Sequence, residues 1–164
     1  MGNFYTDVIK KSDKYKSANR VKDLALLEPL MRQKVQGIVA DAASMGIAVM
    51  VFETFRSQTR QQQLFEQGAS KLRNVGVHNF GLATDIVRKV GNDPSWKGDF
   101  SFLGVLAKKY GLIWGGDWGS PNIKHSFVDS CHVQRVSVAD QPELFRGDWY
   151  PDDDYDPYVG NSIP

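Results

Sequence analysis

The residues best suited to metal chemistry in this 164-residue chain are its histidines and the aspartates close to them. The chain has three histidines, His78, His125 and His132. His78 precedes Asp85 by seven positions in the segment GVHNFGLATDIV, and Asp129 precedes His132 by three positions in FVDSCHVQ. Two imidazoles and one carboxylate, from His78, Asp85 and His132, would give zinc three ligands and leave a fourth tetrahedral position for water.

Such a ligand set predicts a catalytic zinc site and not a structural one. Structural zinc sites usually have four protein ligands, often thiolates, and this chain contains a single cysteine, Cys131. Catalytic zinc lowers the pKa of its bound water to about 7, which makes a nucleophile available at neutral pH. A base must accept the proton and deliver it to the leaving amine, and Asp129 is the candidate for this role.

The spacing of His78 and Asp85 sets a condition on the local structure. Residues seven apart in one strand point to opposite faces, whereas in a helix they share a face. Gly81 and the β-forming residues around it disfavour a continuous helix. The sequence therefore predicts a turn or bulge near Asn79–Gly81 that re-aims one of the two side chains.

The hydrophobic pattern around these residues predicts an α+β fold with helices packed on a small antiparallel sheet. Apolar residues at helical spacing predict a first helix within 22–45. Ser57 is expected to cap a second helix that extends to about Gln67, and Asp99 a third that extends to about Tyr110. Glycines at 46, 68 and 111 would end these helices. Segments rich in β-branched and apolar residues predict four strands: 47–54, 82–90, 112–114 and 131–136. The intervening stretch 91–99, rich in glycine, asparagine, aspartate and proline, is predicted to be a loop.

The bulk composition is that of an ordinary globular protein. Apolar residues make up 41% of the chain, charged residues 24%, and the net charge is +1, so nothing indicates binding to nucleic acid or to an anionic membrane. The first twenty residues contain no apolar run typical of a signal peptide, and the longest such run, Ile47–Phe52, is too short to cross a bilayer. We expect a monomer that is made in the cytoplasm and does not insert into membranes.

The C-terminal segment 148–164 differs in composition from the rest. Its tyrosines and prolines are mixed with acidic residues: Asp148, Asp152, Asp153, Asp154 and Asp156. The spacing lacks the pattern of an EF-hand calcium loop, so a solvated tail is favoured over a calcium site. We expect residues 1–147 to form a catalytic domain and 148–164 an acidic tail, either wrapped irregularly or partly disordered.

Three ordered blocks resemble a known family. HNFGLATD (78–85) resembles the H-x-x-G-x-A-x-D signature of the VanY-like zinc peptidases, which include D-alanyl-D-alanine carboxypeptidases, L-alanyl-D-glutamate endopeptidases and phage endolysins. DSCH (129–132) matches the acidic residue that stands three positions before a terminal histidine in that family. ETFRSQTRQ (53–61) resembles its Y-R-S-x-x-x-Q segment. Together the predicted elements and these blocks span about residues 22–136, and the resemblance implies a fold like that of Hedgehog and the DD-peptidases.

Carried over position by position, the resemblance implies one residue for each role. The implied zinc ligands are His78, Asp85 and His132, and the implied base is Asp129. Arg56 would bind the peptide carbonyl and stabilise its developing negative charge, as a permanently charged guanidinium can. The alternative for Arg56 is a salt bridge at the strand end, with Glu53 or Glu66.

The sequence departs from the family pattern at three positions beside these residues. Gly76, Cys131 and Val133 stand where members commonly have serine, proline and an aromatic residue. None of the three is an implied ligand, although the thiol of Cys131 could compete for zinc. A buried structural role is expected for Cys131, because neighbours in a strand point to opposite faces.

Three further residues are weaker candidates for substrate binding. Trp114 and Trp118, in the segment WGGDWG, could line a groove for a peptide or sugar, or could instead fill the core. His125 could contact substrate, although an ordinary exposed loop histidine is the simpler interpretation.

The resemblance implies a zinc metallopeptidase that hydrolyses peptidoglycan stem peptides. An L-alanyl-D-glutamate endopeptidase of the endolysin type, acting on the cell wall after release, is preferred to a D-Ala-D-Ala carboxypeptidase or dipeptidase. The alternative from another class is a non-catalytic, zinc-braced module that binds cell wall or virion. Such a module would need neither Asp129 nor Arg56.

Overall fold

The computed structural model describes residues 2–70, 75–118 and 128–159, which form a mixed helix-and-sheet domain. Its α-helices are α1 Phe4–Asp7, α2 Pro29–Ser44, α3 Gln58–Glu66, α4 Ser101–Lys109 and α5 Gln141–Arg146. Its strands are β1 Val49–Glu53, β2 Ala83–Val90, β3 Asp93–Ser95, β4 Ile113–Trp114 and β5 His132–Gln134. Short 3-10 turns lie at Ile9–Lys11, Leu24–Leu26, Val77–Phe80, Gly115–Asp117 and Val138–Asp140. Within these ranges no helix is both long enough and apolar enough to span a bilayer.

The five strands form one antiparallel sheet around β2. The strand order is β1-β2-β5-β4, and β3 pairs with the C-terminal end of β2. Strand β2 therefore lies between β1 and β5, and Asp85 is the residue that pairs with both neighbours. This arrangement confirms the predicted α+β class with a small antiparallel sheet.

The main hydrophobic core lies between one face of this sheet and helices α2 and α4. Ile86 of β2 and Val133 of β5 are fully buried there. They face an apolar stripe on α2 whose members are spaced three or four residues apart: Met31, Val35, Ile38 and Ala42. Because side chains alternate along a strand, the adjacent residues Asp85 and His132 point to the opposite face of the sheet.

The first predicted helix begins later in the structure than the sequence pattern indicates. Helix α2 starts at Pro29, and Glu28 caps it by accepting hydrogen bonds from the Leu30 and Met31 backbone. Proline has no backbone N–H and fits the first turn of a helix but not its interior, so the prediction over 22–28 was wrong. The predicted end is confirmed, since α2 stops at Ser44 and Gly46 follows with a φ of +77°.

Of the caps predicted for the other two helices, the one at Ser57 is confirmed. The Ser57 side chain accepts a hydrogen bond from the Arg60 backbone. The cap of α4 is Phe100 and not Asp99 as predicted, although Asp99, one residue earlier, accepts a hydrogen bond from the Ser101 backbone at 2.9 Å. The loop predicted over 91–99 was wrong in part, because residues Asp93–Ser95 form β3 and pair with β2. Local propensity disfavours a strand containing aspartate, proline and serine, and the neighbouring edge of β2 overrides it.

The start of the acidic tail lies against the domain. Residues 148–159 have turns but no helix or strand. Arg135, buried directly after β5, donates one hydrogen bond to Glu28 at 2.9 Å and another to the Asp152 carbonyl. The tail is thereby connected to the cap of α2, while the division of the chain at residue 147 remains a prediction.

Gly81 gives a test of the turn that leads into β2. Its φ is +72°, and a Cβ at this position would lie 2.8 Å from the Leu26 carbonyl oxygen. We expect Gly81→Ala to lower the free energy of unfolding by about 2–4 kcal/mol, because left-handed strain adds to steric overlap. Urea unfolding monitored by circular dichroism measures this loss.

The matched control is Gly46→Ala, where φ is +77° and no atom lies within 4 Å of the new Cβ. Its free energy of unfolding should fall by only about 1 kcal/mol, the cost of the left-handed backbone conformation without steric overlap. Equal losses for the two variants would contradict the proposed close packing at Gly81.

Candidate metal site and cleft

A row of three polar residues crosses the sheet on the face opposite the main core. Asp85 of β2 pairs with Glu53 of β1 on one side and with His132 of β5 on the other. Val51 pairs with Ile86, and the next pair along the two strands is Glu53 with Asp85. Strand β1 thus has one extra residue, Phe52, which forms a β-bulge. Because the extra residue shifts the register, Glu53 and not Phe52 lies opposite Asp85.

His78 reaches the same place from a turn that precedes β2. The 3-10 turn Val77–Phe80 ends at Gly81, whose left-handed backbone redirects the chain into the strand. This confirms the predicted turn near Asn79–Gly81. The His78 Nε2 atom then lies 3.4 Å from Asp85 Oδ1, while Nδ1 donates a hydrogen bond to the Thr54 carbonyl at 2.8 Å.

The three predicted ligands converge on one point. His132 Nδ1 lies 3.4 Å from the same Asp85 Oδ1 atom that His78 approaches. One ligand atom of each of the three residues lies within 4.8 Å of the others, and all three residues are buried. Two imidazoles and a carboxylate at this spacing are a donor set that suits a divalent transition metal such as zinc.

The hydrogen bonding around this cluster also fits a bound cation. The hydrogen that His78 donates to Thr54 lies on Nδ1, so whenever the ring is neutral its lone pair is at Nε2. That lone pair faces Asp85 Oδ1, a buried atom that accepts no well-formed hydrogen bond from the described residues. A lone pair and an anionic oxygen repel each other unless a cation lies between them, so the residues present fit a metal ion.

The electrostatics of the cluster favour positive charge at this point. Burial opposes ionisation of Asp85, but interaction with His78 and His132 outweighs it and holds the pKa of the carboxyl well below its usual value. Burial likewise disfavours a charged His132, yet the neighbouring Asp85 and Asp129 carboxylates prevail and raise the pKa of this imidazole. The Asp85 carboxylate is therefore ionised at neutral pH and available to a cation.

Arg56 lies on the wall of the site with its guanidinium fixed by neighbours. Nη2 donates to Glu53 at 2.9 Å and lies 3.6 Å from Asp85 Oδ2, and Nη1 donates to Gln61 at 3.1 Å. The alternative salt bridge with Glu53 is thus present, and it holds the guanidinium beside the cluster. Glu53 also accepts a hydrogen bond from Arg60 at 3.1 Å, so one buried carboxylate orients two arginines.

Asp129 reaches the cluster through the segment that leads into β5. Its backbone N–H donates to the Gly115 carbonyl at 3.0 Å, and its own carbonyl accepts from the His132 N–H at 3.3 Å. A side chain at position 115 would overlap the Asp129 carbonyl, so this close approach requires glycine. A carboxylate oxygen of Asp129 lies within 4.8 Å of one from Asp85, which places the predicted base beside the predicted ligands.

Cys131 does not have the fully buried position that the sequence predicts. It is half-buried just before β5, where it packs against the main core and also borders the cleft. Its thiol donates a hydrogen bond to Asp129 at 3.4 Å. Burial raises the pKa of this thiol, and the carboxylates of Asp85 and Asp129 raise it further, so it remains protonated and acts as a donor.

The cluster lies in an open cleft of about 440 Å³. Trp118 lines this cleft and packs on His132 with ring centroids 5.0 Å apart. Trp114, in contrast, is not among the residues that line the cleft. It packs beside Gly104 and donates a hydrogen bond to the Ser130 carbonyl at 2.7 Å. His125 lies outside the described residues.

Other residues of the cleft were not found from the sequence. Trp96 is 51% exposed, and it meets Phe52 edge-to-face at 4.8 Å along the cleft wall. The loop-like sequence around Trp96 does not indicate that this side chain lies at the cleft. Gln134 and Gln141 also line the cleft, and Gln134 could have been found, because it follows His132 by two positions in a predicted strand.

Comparison with known proteins agrees with this geometry. A family model described as D-alanyl-D-alanine carboxypeptidase matches residues 70–135, which contain the three converging residues and Asp129. The peptidoglycan L-alanyl-D-glutamate endopeptidase CwlK of Bacillus subtilis is 33% identical, over 73% of this chain and 81% of the relative. The L-alanyl-D-glutamate peptidase of a Listeria phage is 35% identical over 56% of this chain, which spans only 31% of that protein.

Solved structures share the fold at lower sequence identity. The L-Ala D-Glu endopeptidase ChiX of Serratia marcescens has a TM-score of 0.56 and 22% identity, over 82% of this chain and 98% of that one. The D,D-pentapeptidase VanY from a VanB-type resistance cassette, in complex with Zn(II), has a TM-score of 0.52 and 14% identity, over 73% and 78% of the two chains. The three motif blocks, the fold and the similarity to CwlK together show that the chain belongs to the VanY-like zinc peptidase family.

Proposed function

We propose that this protein is a zinc-dependent endopeptidase that cleaves the L-alanyl-D-glutamate bond of peptidoglycan stem peptides. The observation that carries the proposal is the convergence of His78, Asp85 and His132 in an open cleft whose wall also holds Arg56 and Asp129. CwlK and the Listeria phage peptidase are both named for this bond, and a protein of the same fold has been obtained with Zn(II).

In this proposal the metal is held by one atom from each converging residue. His78 would use Nε2, His132 would use Nδ1 and Asp85 would use Oδ1, the atoms that face one another. When bound, zinc supplies a Lewis acid that polarises the scissile carbonyl and makes an attacking water more acidic.

Asp129 would act as the general base and then as the general acid. Its partly exposed carboxylate lies close enough to Asp85 to accept a proton from a water in the cleft and to pass it to the departing amine. The Cys131 thiol donates to one oxygen of this carboxylate, which restricts the rotation of the side chain.

Arg56 would stabilise the negative charge that develops on the carbonyl oxygen. Its guanidinium is pinned by Glu53 and Gln61, so little reorganisation is required when that charge appears. A module that merely binds cell wall around a bracing metal would have no need of Arg56 or Asp129 beside the ligands, which favours the enzyme over that alternative.

A second candidate function is D-alanyl-D-alanine carboxypeptidase, because the matching family model carries that description. The proposed substrate is a stem peptide in either case. We further propose that the protein acts on the cell wall after release from the cytoplasm, in keeping with its phage relative. We propose that it does so as a monomer.

The identity of the cleaved bond separates the two candidates. Digestion of purified peptidoglycan should release new L-alanine carboxyl ends and D-glutamate amino ends, identified by mass spectrometry of the labelled products. Release of free D-alanine without new D-glutamate amino ends would instead support the carboxypeptidase.

Substitution of Asp129 tests the proposed base. Asp129→Asn should lower the rate of peptide hydrolysis by about 10²–10⁴-fold, because the side chain can no longer accept the proton. Zinc content, measured by mass spectrometry of the purified protein, should not change. The matched control is Asp153→Asn, an exposed aspartate of the tail, which should keep full activity. Unchanged hydrolysis in the Asp129 variant would refute the assignment.

Removal of metal tests the proposed cofactor. Dialysis against a chelator should abolish hydrolysis, and added zinc should restore it, because the cleft residues alone provide no comparable Lewis acid. Zinc at about 100 times its Kd should also stabilise the folded protein by about 2.7 kcal/mol, which thermal unfolding measures. The control His132→Ala should show a much smaller zinc-dependent shift. Full activity after complete removal of metal would contradict the mechanism.

A further inference from the structure

The two imidazoles of the candidate metal site are held by different kinds of group. His78 donates through Nδ1 to a backbone carbonyl, that of Thr54, at 2.8 Å. His132 has its Nε2 atom 2.7 Å from Oε1 of the Gln134 side chain. The orientation of His132 therefore depends on the identity of one side chain, whereas the His78 contact would survive most substitutions at position 54.

The amide of Gln134 has its own orientation fixed by other contacts. Its Nε2 atom lies 2.6 Å from the Val136 carbonyl and 2.9 Å from Oε1 of Gln141. A backbone carbonyl can only accept hydrogen bonds, so the amide nitrogen must face Val136. The amide oxygen must then face His132.

This orientation determines which nitrogen of His132 carries the hydrogen. An amide oxygen can only accept, so the hydrogen of the neutral ring lies on Nε2. The lone pair is then on Nδ1, which lies 3.4 Å from Asp85 Oδ1. The nitrogen that faces the metal cluster is thus the one able to coordinate a metal.

Burial makes the contact difficult to replace. Gln134 is 1% exposed and His132 is 6% exposed, so solvent cannot readily supply another acceptor for the imidazole hydrogen. The two residues are two positions apart in β5 and share the face of the sheet that carries the site. Strand geometry therefore holds the donor and the acceptor at a fixed separation.

We propose that Gln134 is a positioning residue that fixes the tautomer and ring orientation of His132 for metal binding. The inference rests on the metal site of the proposed function and adds a residue that acts through His132 and not on the substrate. Gln141 does not contact His132 in this arrangement. It accepts one hydrogen bond from the amide nitrogen of Gln134, and the Val136 carbonyl accepts the other.

The test is the zinc affinity of Gln134→Leu, which has a similar volume but no acceptor. Competition with a chromophoric chelator should give a zinc Kd about 10- to 100-fold weaker than that of the wild type. The matched control is Gln141→Leu, which leaves the contacts of Gln134 with His132 and Val136 intact and should bind zinc almost as tightly as the wild type. Unfolding curves of the metal-free proteins identify any general loss of structure.

A wild-type affinity in Gln134→Leu would overturn this inference and leave the proposed function standing. Failure of the wild-type protein to bind zinc would instead refute the metal site itself, and with it both proposals.

A second measurement needs no variant. Imidazole ¹⁵N NMR spectra of the zinc-loaded wild-type protein should show His132 protonated at Nε2 and metal-bound at Nδ1. Protonation at Nδ1 with metal at Nε2 would overturn the inference, whatever the variants show.

Discussion

The structure depends above all on the register of β2 between β1 and β5. This register places Asp85 opposite Glu53 on one side and His132 on the other. Side chains alternate along these strands, so the same pairing turns Ile86 and Val133 into the core formed with α2 and α4. A slip of one residue would exchange the two faces, burying the acid in the core and losing the site. The same strand pairing therefore both forms the core and brings the cluster together.

The face of the sheet that carries the site contains several buried charged groups, which do not stabilise the fold as apolar side chains would. Glu53 bonds two arginines, and Asp85 lies against two imidazoles and the Arg56 guanidinium. Burying a carboxylate is costly unless it is paired, and Asp85 Oδ1 has no hydrogen-bond partner among the described residues, although both imidazoles approach it. A divalent cation between these atoms would offset this cost.

The parts of the fold that were predicted correctly are those with local causes. Ser57 caps α3, Gly46 follows the end of α2, and the apolar stripe of α2 follows from its spacing. The first helix was predicted to begin too early, because Pro29 fits the first turn of a helix but not its interior. Strand β3 could not be predicted from its own residues, since the free edge of β2 is what makes them pair.

The sequence by itself determined the chemistry available at the site: the types and order of His78, Asp85, Asp129 and His132, and the need for a turn at Gly81. These are properties of short segments and are visible without coordinates. Only the tertiary structure decided which atoms meet, because the bulge in β1 and the pairing of β2 with β5 depend on strands distant in the chain. Long-range register sets distances and hydrogen-bond partners, and a local pattern contains neither.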